Sequence, residues 1–155
     1  ITLDMTDAPQ TGTDNLLVAN AGNMTLDGPS SAFGVPAFGN NAGTTGTHVF
    51  IGGTGTDTLV AGVGDTTLTG GTGEANIFGF RNHVAGASYT ITDFGAAAGN
   101  SVLLVDYDYT HAAFQTDVLD KAVHSGGNTT ITLSDNSKIT FVNVASLNGS
   151  SFTGF

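Results

Sequence analysis

The chain has 155 residues, 10% of them charged, and its thirteen acidic against three basic residues give it a formal net charge of −10. Three lysines and arginines cannot neutralise a nucleic-acid backbone, which excludes nucleic acid as a partner. For the same reason an anionic membrane surface is disfavoured, and cations are the favoured partners. Cysteine is absent and no apolar run is long enough to span a bilayer, which excludes disulfides, thiolate metal sites and a membrane-spanning helix.

The N-terminal part of the chain carries an imperfect repeat. Residues 12–28 resemble residues 55–70 with one residue inserted, so repetition begins near Pro9. Between the two copies, residues 29–41 contain two of the three prolines and break the period. Because proline and glycine interrupt regular structure, this segment is predicted to be an enlarged loop.

Four nine-residue units follow without a gap over residues 43–78. Each has a glycine at its fourth place and a large apolar residue at its eighth: Gly46 and Phe50, Gly55 and Leu59, Gly64 and Leu68, Gly73 and Ile77. A short period held in both places is typical of a solenoid. We therefore predict an all-β fold, with a parallel β-roll over residues 1–80 and a β-rich C-terminal cap containing one short helix over residues 81–155.

Two strands are predicted directly after the repeats. Residues 88–94 and 101–107 are rich in β-branched and aromatic side chains, and the glycine- and alanine-rich segment 95–100 separates them. Such residues fit the pleated surface of a sheet, and the flexible segment between them is typical of a turn.

One helix is predicted, over residues 112–124. Its apolar residues Phe114, Val118 and Ala122 are spaced four apart, as on one face of a helix. The glycine pair at 126–127 follows, and glycine commonly ends a helix. This pair is therefore predicted to close it.

A hairpin is predicted to follow, with strands over residues 128–133 and 138–142. Facing residues of an antiparallel pair share one side of the sheet, which requires a loop with an odd number of residues here. We predict a three-residue loop over residues 135–137. The facing apolar pairs are then Ile131 with Phe141 and Leu133 with Ile139.

The chain resembles the C-terminal region of RTX proteins, which carry haemolysin-type calcium-binding repeats. Residues 52–60, GGTGTDTLV, fit the nonapeptide G-G-x-G-x-D-x-U-x, and residues 89–94 and 126–152 are similar to segments that follow such repeats in type I secreted bacterial proteins. The resemblance implies a parallel β-roll with two units per turn and Ca²⁺ between turns. It also implies export through a C-terminal secretion region and a location outside the cell or on the bacterial surface.

The sixth place of each unit, which the resemblance assigns to calcium, is only partly acidic. His48, Asp57, Thr66 and Ala75 occupy it. The pairs from alternate units are His48 with Thr66 and Asp57 with Ala75, so neither pair supplies two carboxylates. His48 is predicted to be a turn residue. The candidate ligands are Asp57, the displaced acids Asp65 and Glu74, and Asp14 in the earlier copy, and both a calcium-bound and an ion-free roll stay open.

The outward places of the units suggest an apolar stripe. Ile51, Val60 and Phe78 are predicted to point away from a filled interior, and such a stripe needs cover. One cover is the C-terminal half of the chain. The other is a second subunit in a homo-oligomer or a filament formed by solenoid stacking.

Threonine repeats in the units also raise the hypothesis of ice binding. A flat ladder of outward threonines would be required. Taken unit by unit, the outward places hold Val49 and Ile51, Thr58 and Val60, Thr67 and Thr69, and Asn76 and Phe78. This series is not uniform, which disfavours ice binding.

The sequence shows no catalytic constellation, so we predict that the protein is not an enzyme. The predicted function is a non-enzymatic extracellular RTX-like β-roll module with a structural, secretion and folding role at or beyond a bacterial surface. One alternative is a self-assembling surface-layer, filament or matrix subunit. Another is an adhesin or glycan-binding module.

Overall fold

The structure is a computed structural model that describes residues 2–4, 17–19, 24–27, 36–39, 46–72, 74–82 and 86–155. Its strands are β1 (Thr2–Asp4), β2 (Leu17–Ala19), β3 (Met24–Asp27), β4 (Pro36–Gly39), β5 (Thr47–Ile51), β6 (Thr58–Ala61), β7 (Asp65–Thr69), β8 (Ile77–Arg81), β9 (Ser88–Ile91), β10 (Ser101–Val105), β11 (Val123–Ser125), β12 (Asn128–Thr132), β13 (Lys138–Phe141) and β14 (Phe152–Thr153). One short helix, α1, spans His111–Phe114. The predicted β-rich class with one short helix is confirmed.

Successive strands alternate between two sheets. The eight-stranded sheet has the order β1-β3-β5-β7-β9-β13-β12-β11, and the six-stranded sheet has the order β14-β10-β8-β6-β4-β2. Pairing is parallel from β1 to β13 in the first sheet, and the hairpin strands β13, β12 and β11 are antiparallel. The first sheet is therefore mixed. Strands β9 and β10 extend both sheets beyond residue 80.

Alternate repeat units pair with each other, but the spacing of the pairs differs. In the eight-stranded sheet Thr47 faces Asp65, so β5 and β7 keep the expected spacing of two units. In the six-stranded sheet Thr58 faces Ile77, one residue later than the period predicts. The turn before β8 is longer by one residue than the turn before β6. A shift of one residue exchanges the two faces of a strand.

This shift overturns the predicted outward stripe. Phe78 is fully buried, whereas Ile77, predicted to fill the interior, is partly exposed. The other two residues lie on different sheets: Ile51 belongs to β5 and Val60 to β6. The three residues therefore do not form one surface, although self-assembly itself stays a prediction.

The core lies between the two sheets and is largely aromatic. The rings of Phe80 in β8 and Tyr89 in β9 are 4.8 Å apart, and those of Phe94 and Phe141 are 5.0 Å apart. The largest fully buried side chains are Phe50, Leu59, Leu68, Phe78, Phe80, Tyr89, Ile91, Leu104, Phe114, Ile131 and Phe141. Close ring contacts between the sheets add to the large apolar area that aromatic side chains bury.

Residues 29–41 are not wholly a loop. Within them, β4 pairs in parallel with β2 on one side and with β6 on the other. Proline has no N–H to donate to a neighbouring strand, so it is tolerated at the first residue of a strand, where that hydrogen bond is not required. Pro36 occupies that place in β4, so this proline starts a strand.

The predicted helix forms but is shorter than expected. After α1 the chain continues in a π-helical turn, Gln115–Leu119. The buried face is confirmed: Phe114 and Val118 are buried, and Phe114 lies 4.8 Å from Phe152 between ring centres. The helix therefore closes the end of the core beside β14.

The prediction that the glycine pair ends the helix is wrong. Gly126 and Gly127 form the two-residue turn between β11 and β12, with Ser125 facing Asn128. Their φ values are 59° and 82°. Tight hairpin turns of two residues need positive φ at both positions, which glycine adopts without a steric cost.

The predicted hairpin is present with its register shifted. Ile131 faces Ile139 and not Phe141, although the apolar residues do share the inner face as predicted. The loop has the predicted three residues but spans 134–136, because Leu133 N–H donates to the Ser137 carbonyl at 2.8 Å. Asn136, at φ 66°, supplies the left-handed residue that such a loop requires.

Candidate functional site

A row of buried polar residues connects three neighbouring strands of the six-stranded sheet. Asp57, Asn76 and Asn100 each directly precede a strand of this sheet, β6, β8 and β10 respectively, and they are 0%, 1% and 5% exposed. Asp57 N–H donates to Asn76 Oδ1 at 2.8 Å, and Asn76 N–H donates to Asn100 Oδ1 at 2.7 Å. We call these three residues the Asx ladder.

Both ends of the Asx ladder are hydrogen-bonded. At one end, Asp57 Oδ2 accepts from Gly53 N–H at 2.8 Å. At the other, Asn100 Nδ2 donates to the Phe94 carbonyl at 2.9 Å. Burial of a polar group costs free energy unless it finds a partner, so these bonds let the row lie inside the fold.

Two glycines make room for the ladder side chains. A Cβ atom at Gly52 would collide with the Asp57 carboxylate, and one at Gly70 would collide with the Asn76 amide. These glycines occupy the first places of the second and fourth units. They are therefore required by the close approach of the ladder side chains.

A second corner of the fold uses a carboxylate in the same way. Asp93, after β9, accepts from Gly70 N–H through Oδ1 at 2.9 Å and from Gly71 N–H through Oδ2 at 2.7 Å. Next to it, the hydroxyls of Thr69 and Thr92 lie 2.7 Å apart. Successive backbone N–H groups form an anion-binding nest, and here Asp93 fills it.

The predicted calcium ligands lie in different environments. Asp57 is buried in the Asx ladder. Asp65 is exposed in β7, where Oδ1 accepts from Ser88 N–H at 2.8 Å, and Glu74 is exposed in the turn before β8. Asp14 lies outside the described residues. In the described part of the chain, no three side chains of His, Cys, Asp or Glu lie close enough together to hold a metal ion, and calcium binding stays a prediction.

Sequence reasoning missed two members of the ladder. It paired Asp57 with Ala75, but the inserted residue makes Asn76 the structural equivalent of Asp57. Asn100 lies beyond the repeats, where the period gave no guide. The usable signal is local: an Asp or Asn stands immediately before each of these apolar strands.

His48 is an inward residue of β5, whereas a turn position was predicted. It is 2% exposed, and its Nδ1 has no hydrogen-bond partner among the described residues. Its ring centre lies 6.3 Å from that of Phe50. Burial lowers the pKa of the His48 imidazole, because the charged form loses its hydration.

A tyrosine fixes the hairpin loop to the rest of the fold. Tyr107, 5% exposed, donates its hydroxyl hydrogen bond to Asp135 Oδ2 at 2.9 Å. The other carboxylate oxygen of Asp135 accepts from Ser137 N–H at 2.9 Å. Burial, followed by the hydrogen bond to Asp135, raises the pKa of the Tyr107 hydroxyl, so it stays a donor at physiological pH.

Comparison of the chain with protein-family models, with curated proteins and with solved structures gave no match. No helix among the described residues has the length and apolarity needed to cross a membrane.

Proposed function

We propose that this chain is a structural β-solenoid module of an extracellular protein, with its rungs joined through the Asx ladder. A rung here is one strand from each sheet. The observation that carries the proposal is the pair of bonds from Asp57 N–H to Asn76 and from Asn76 N–H to Asn100. They link three successive rungs at the place where the RTX resemblance implies calcium.

The chemistry of the ladder supports a stack that holds without a bound ion. Carboxylates on neighbouring rungs would repel one another across the strand spacing of about 4.8 Å and would need a cation between them. Asn76 and Asn100 are neutral amides, and each bonds the backbone of the preceding rung. Only Asp57 carries charge in this row.

The C-terminal half supports the role of a cap. Its helix places Phe114 against Phe152 and Phe155, at ring distances of 4.8 Å in both cases, beside the edge strand β14. The hairpin extends the eight-stranded sheet. Both additions cover apolar groups at the end of a stack, as the terminal units of solenoids must. The similarity of residues 126–152 to type I secreted proteins supports export and an extracellular location.

The test is the response of the purified chain to calcium. We expect the melting temperature, followed by circular dichroism, to be the same in millimolar calcium and in excess chelator, and light scattering to give a monomer. Asn76→Asp is the matched variant, since it restores carboxylates on two successive rungs. Its melting temperature should rise with calcium.

Two results would contradict the proposal. A wild-type melting temperature that depends on calcium would mean that an ion and not the ladder joins the rungs. Filaments or sheets in dilute solution would favour the self-assembling alternative over the cap.

A further inference from the structure

The outer face of the eight-stranded sheet carries two regular rows of small, uncharged side chains. The two rows run across β5, β7, β9 and β13. The strand register aligns residue i of each strand in one row and residue i+2 in the other. The first row is Val49, Thr67, Thr90 and Thr140, continued by Thr130 of β12, and the second is Ile51, Thr69, Thr92 and Val142. We call these residues the outer array.

Because successive strands alternate between the two sheets, the order of the units in the sequence does not reveal this array. Consecutive units lie on opposite sheets, so taking them one after another mixes two surfaces. Thr58 and Val60, for example, belong to β6 on the other sheet. Over strands β5, β7, β9 and β13 of the eight-stranded sheet, every place of the two rows holds threonine, valine or isoleucine. The observation that disfavoured an ice-binding surface therefore no longer applies.

The array has two repeat distances set by the backbone. Neighbouring strands lie about 4.8 Å apart, and residues i and i+2 of one strand lie about 6.7 Å apart. The register contains no shift from β5 to β13. Ice presents a rigid lattice of water oxygens whose repeats on its crystal faces are of similar size.

The side chains of the array suit a surface of ordered water. The threonine side chain has a hydroxyl, which can replace a lattice water, and a methyl group beside that hydroxyl. Because the side chain is β-branched, its χ1 angle is restricted. The hydroxyls of Thr67 and Thr90 have no protein partner within the described part of the chain, and both residues are partly exposed. The hydroxyls of Thr130 and Thr140 lie 3.0 Å apart, which fixes their positions.

Charged residues border the array on two sides: Asp27 of β3 and Asp4 of β1 continue the second row beyond Ile51, and two more charges lie beside the first row. Asp65 and Lys138 lie in the adjacent row, on either side of Ser88. Charged groups bind water in orientations that do not fit the ice lattice, so the absence of charge from both rows between β5 and β13 favours ice over this part of the sheet. The array has no large aromatic or leucine side chain, which leaves little apolar area for a protein partner.

We propose that the outer array binds the surface of ice crystals. The rigid rows match the lattice in two directions, so bound water is already arranged as ice when the face meets a crystal. This activity goes beyond the structural role proposed above, and it can fail while that role stands.

The test uses the folded chain with polycrystalline ice in dilute buffer. We expect the wild type to be enriched in slowly grown ice and to slow recrystallisation, compared with the same chain after heat denaturation. Thr90→Tyr places a bulky ring at the centre of the array and should abolish both effects. The matched control is Thr58→Tyr, an equally outward threonine on the six-stranded sheet, which should retain them.

The outcomes separate cleanly. Exclusion of the wild type from ice, or equal effects of Thr90→Tyr and Thr58→Tyr, would overturn the proposal. Circular dichroism and melting temperature confirm that each variant is folded. If Thr90→Tyr does not fold, Thr67→Lys tests the same row with a charge, and full activity of that variant would also overturn the proposal.

Discussion

At the scale of single residues, Asn76 has the most demanding position in the molecule. Its Oδ1 accepts from Asp57 N–H, its own N–H donates to Asn100, and its amide lies over Gly70. A side chain there must be short, neutral and able to accept a hydrogen bond. Asparagine meets all three conditions, and aspartate would add a second buried charge beside Asp57.

Asn76→Ala should lower the free energy of unfolding by about 1–3 kcal/mol, because it leaves the buried N–H of Asp57 without an acceptor. The measurement is the midpoint of urea unfolding. Asn82→Ala is the control: the Asn82 amide donates to the Asp106 carbonyl at 3.0 Å on the surface. Its cost should stay below about 0.5 kcal/mol. Equal costs at the two positions would contradict a structural role for the ladder.

His48 should make the fold sensitive to mild acid. Burial holds the pKa of His48 in the folded state below the usual histidine value of about 6.5, so below about pH 6.5 the unfolded chain binds more protons and stability falls. We expect the urea midpoint of the wild type to decrease between about pH 7 and pH 5, a range above the usual pKa of Asp and Glu.

The control for this prediction is His48→Thr. Thr66 occupies the same inward place on the neighbouring strand, so threonine is compatible with the site. The variant should show a smaller decrease of its midpoint over the same pH range. If the wild type and the variant lose stability equally, protonation of His48 is not the cause.

At the scale of elements, the length of each turn decides which side chains enter the core. Between β5 and β6 the turn spans residues 52–57, and between β7 and β8 it spans residues 70–76. The nine-residue period located both strands correctly but predicted the wrong face for Phe78. The nine-residue period indicates where strands recur along the chain. A single inserted residue exchanges the faces without altering that pattern.

The hairpin shows the same limit. The alternation of apolar residues correctly placed Ile131 and Ile139 on the inner face, yet it permits any register that differs by two residues. The structure selects the one in which Asn136 takes a left-handed conformation and Asp135 meets Tyr107. That tertiary contact joins residues 28 positions apart, so local patterns in the sequence cannot reveal it.

Tyr107→Phe should weaken the attachment of this hairpin. The substitution keeps the ring and removes the hydroxyl that donates to Asp135, so we expect a loss of about 1–2 kcal/mol in the free energy of unfolding. Tyr109→Phe is the control, since the Tyr109 hydroxyl accepts from the exposed Ser134 N–H, which water can bond instead. A larger loss for Tyr109→Phe would mean that the loop is held from its outer side.

At the scale of the whole molecule, the sequence located most of the strands and the pairing of β5 with β7 and of β12 with β13, but not the hydrogen bonds that join the turns. The prediction that repeats form strands is confirmed for β5 to β8. Asn100 and Asp93 lie beyond the repeats, and their roles depend on turns that bring them to Asn76 and Gly70. Such contacts join residues before or after neighbouring strands of the sheets, so the sequence around one strand does not reveal them.

In the proposed solenoid each rung contacts only its neighbours, so the molecule should also unfold from its ends. In the described part of the chain, β1 and β2 each pair with a single strand, whereas β7 and β8 pair on both sides. We therefore expect amide hydrogen exchange, measured by NMR, to be fastest in β1 and β2 and slowest near β7 and β8.

Asn76→Ala should speed exchange at Asp57 while β12 and β13 keep their rates, because the hairpin joins the sheet through β9. Uniform acceleration at all amides would instead mean that the fold opens as one cooperative unit, with no independent contribution from the ladder between rungs.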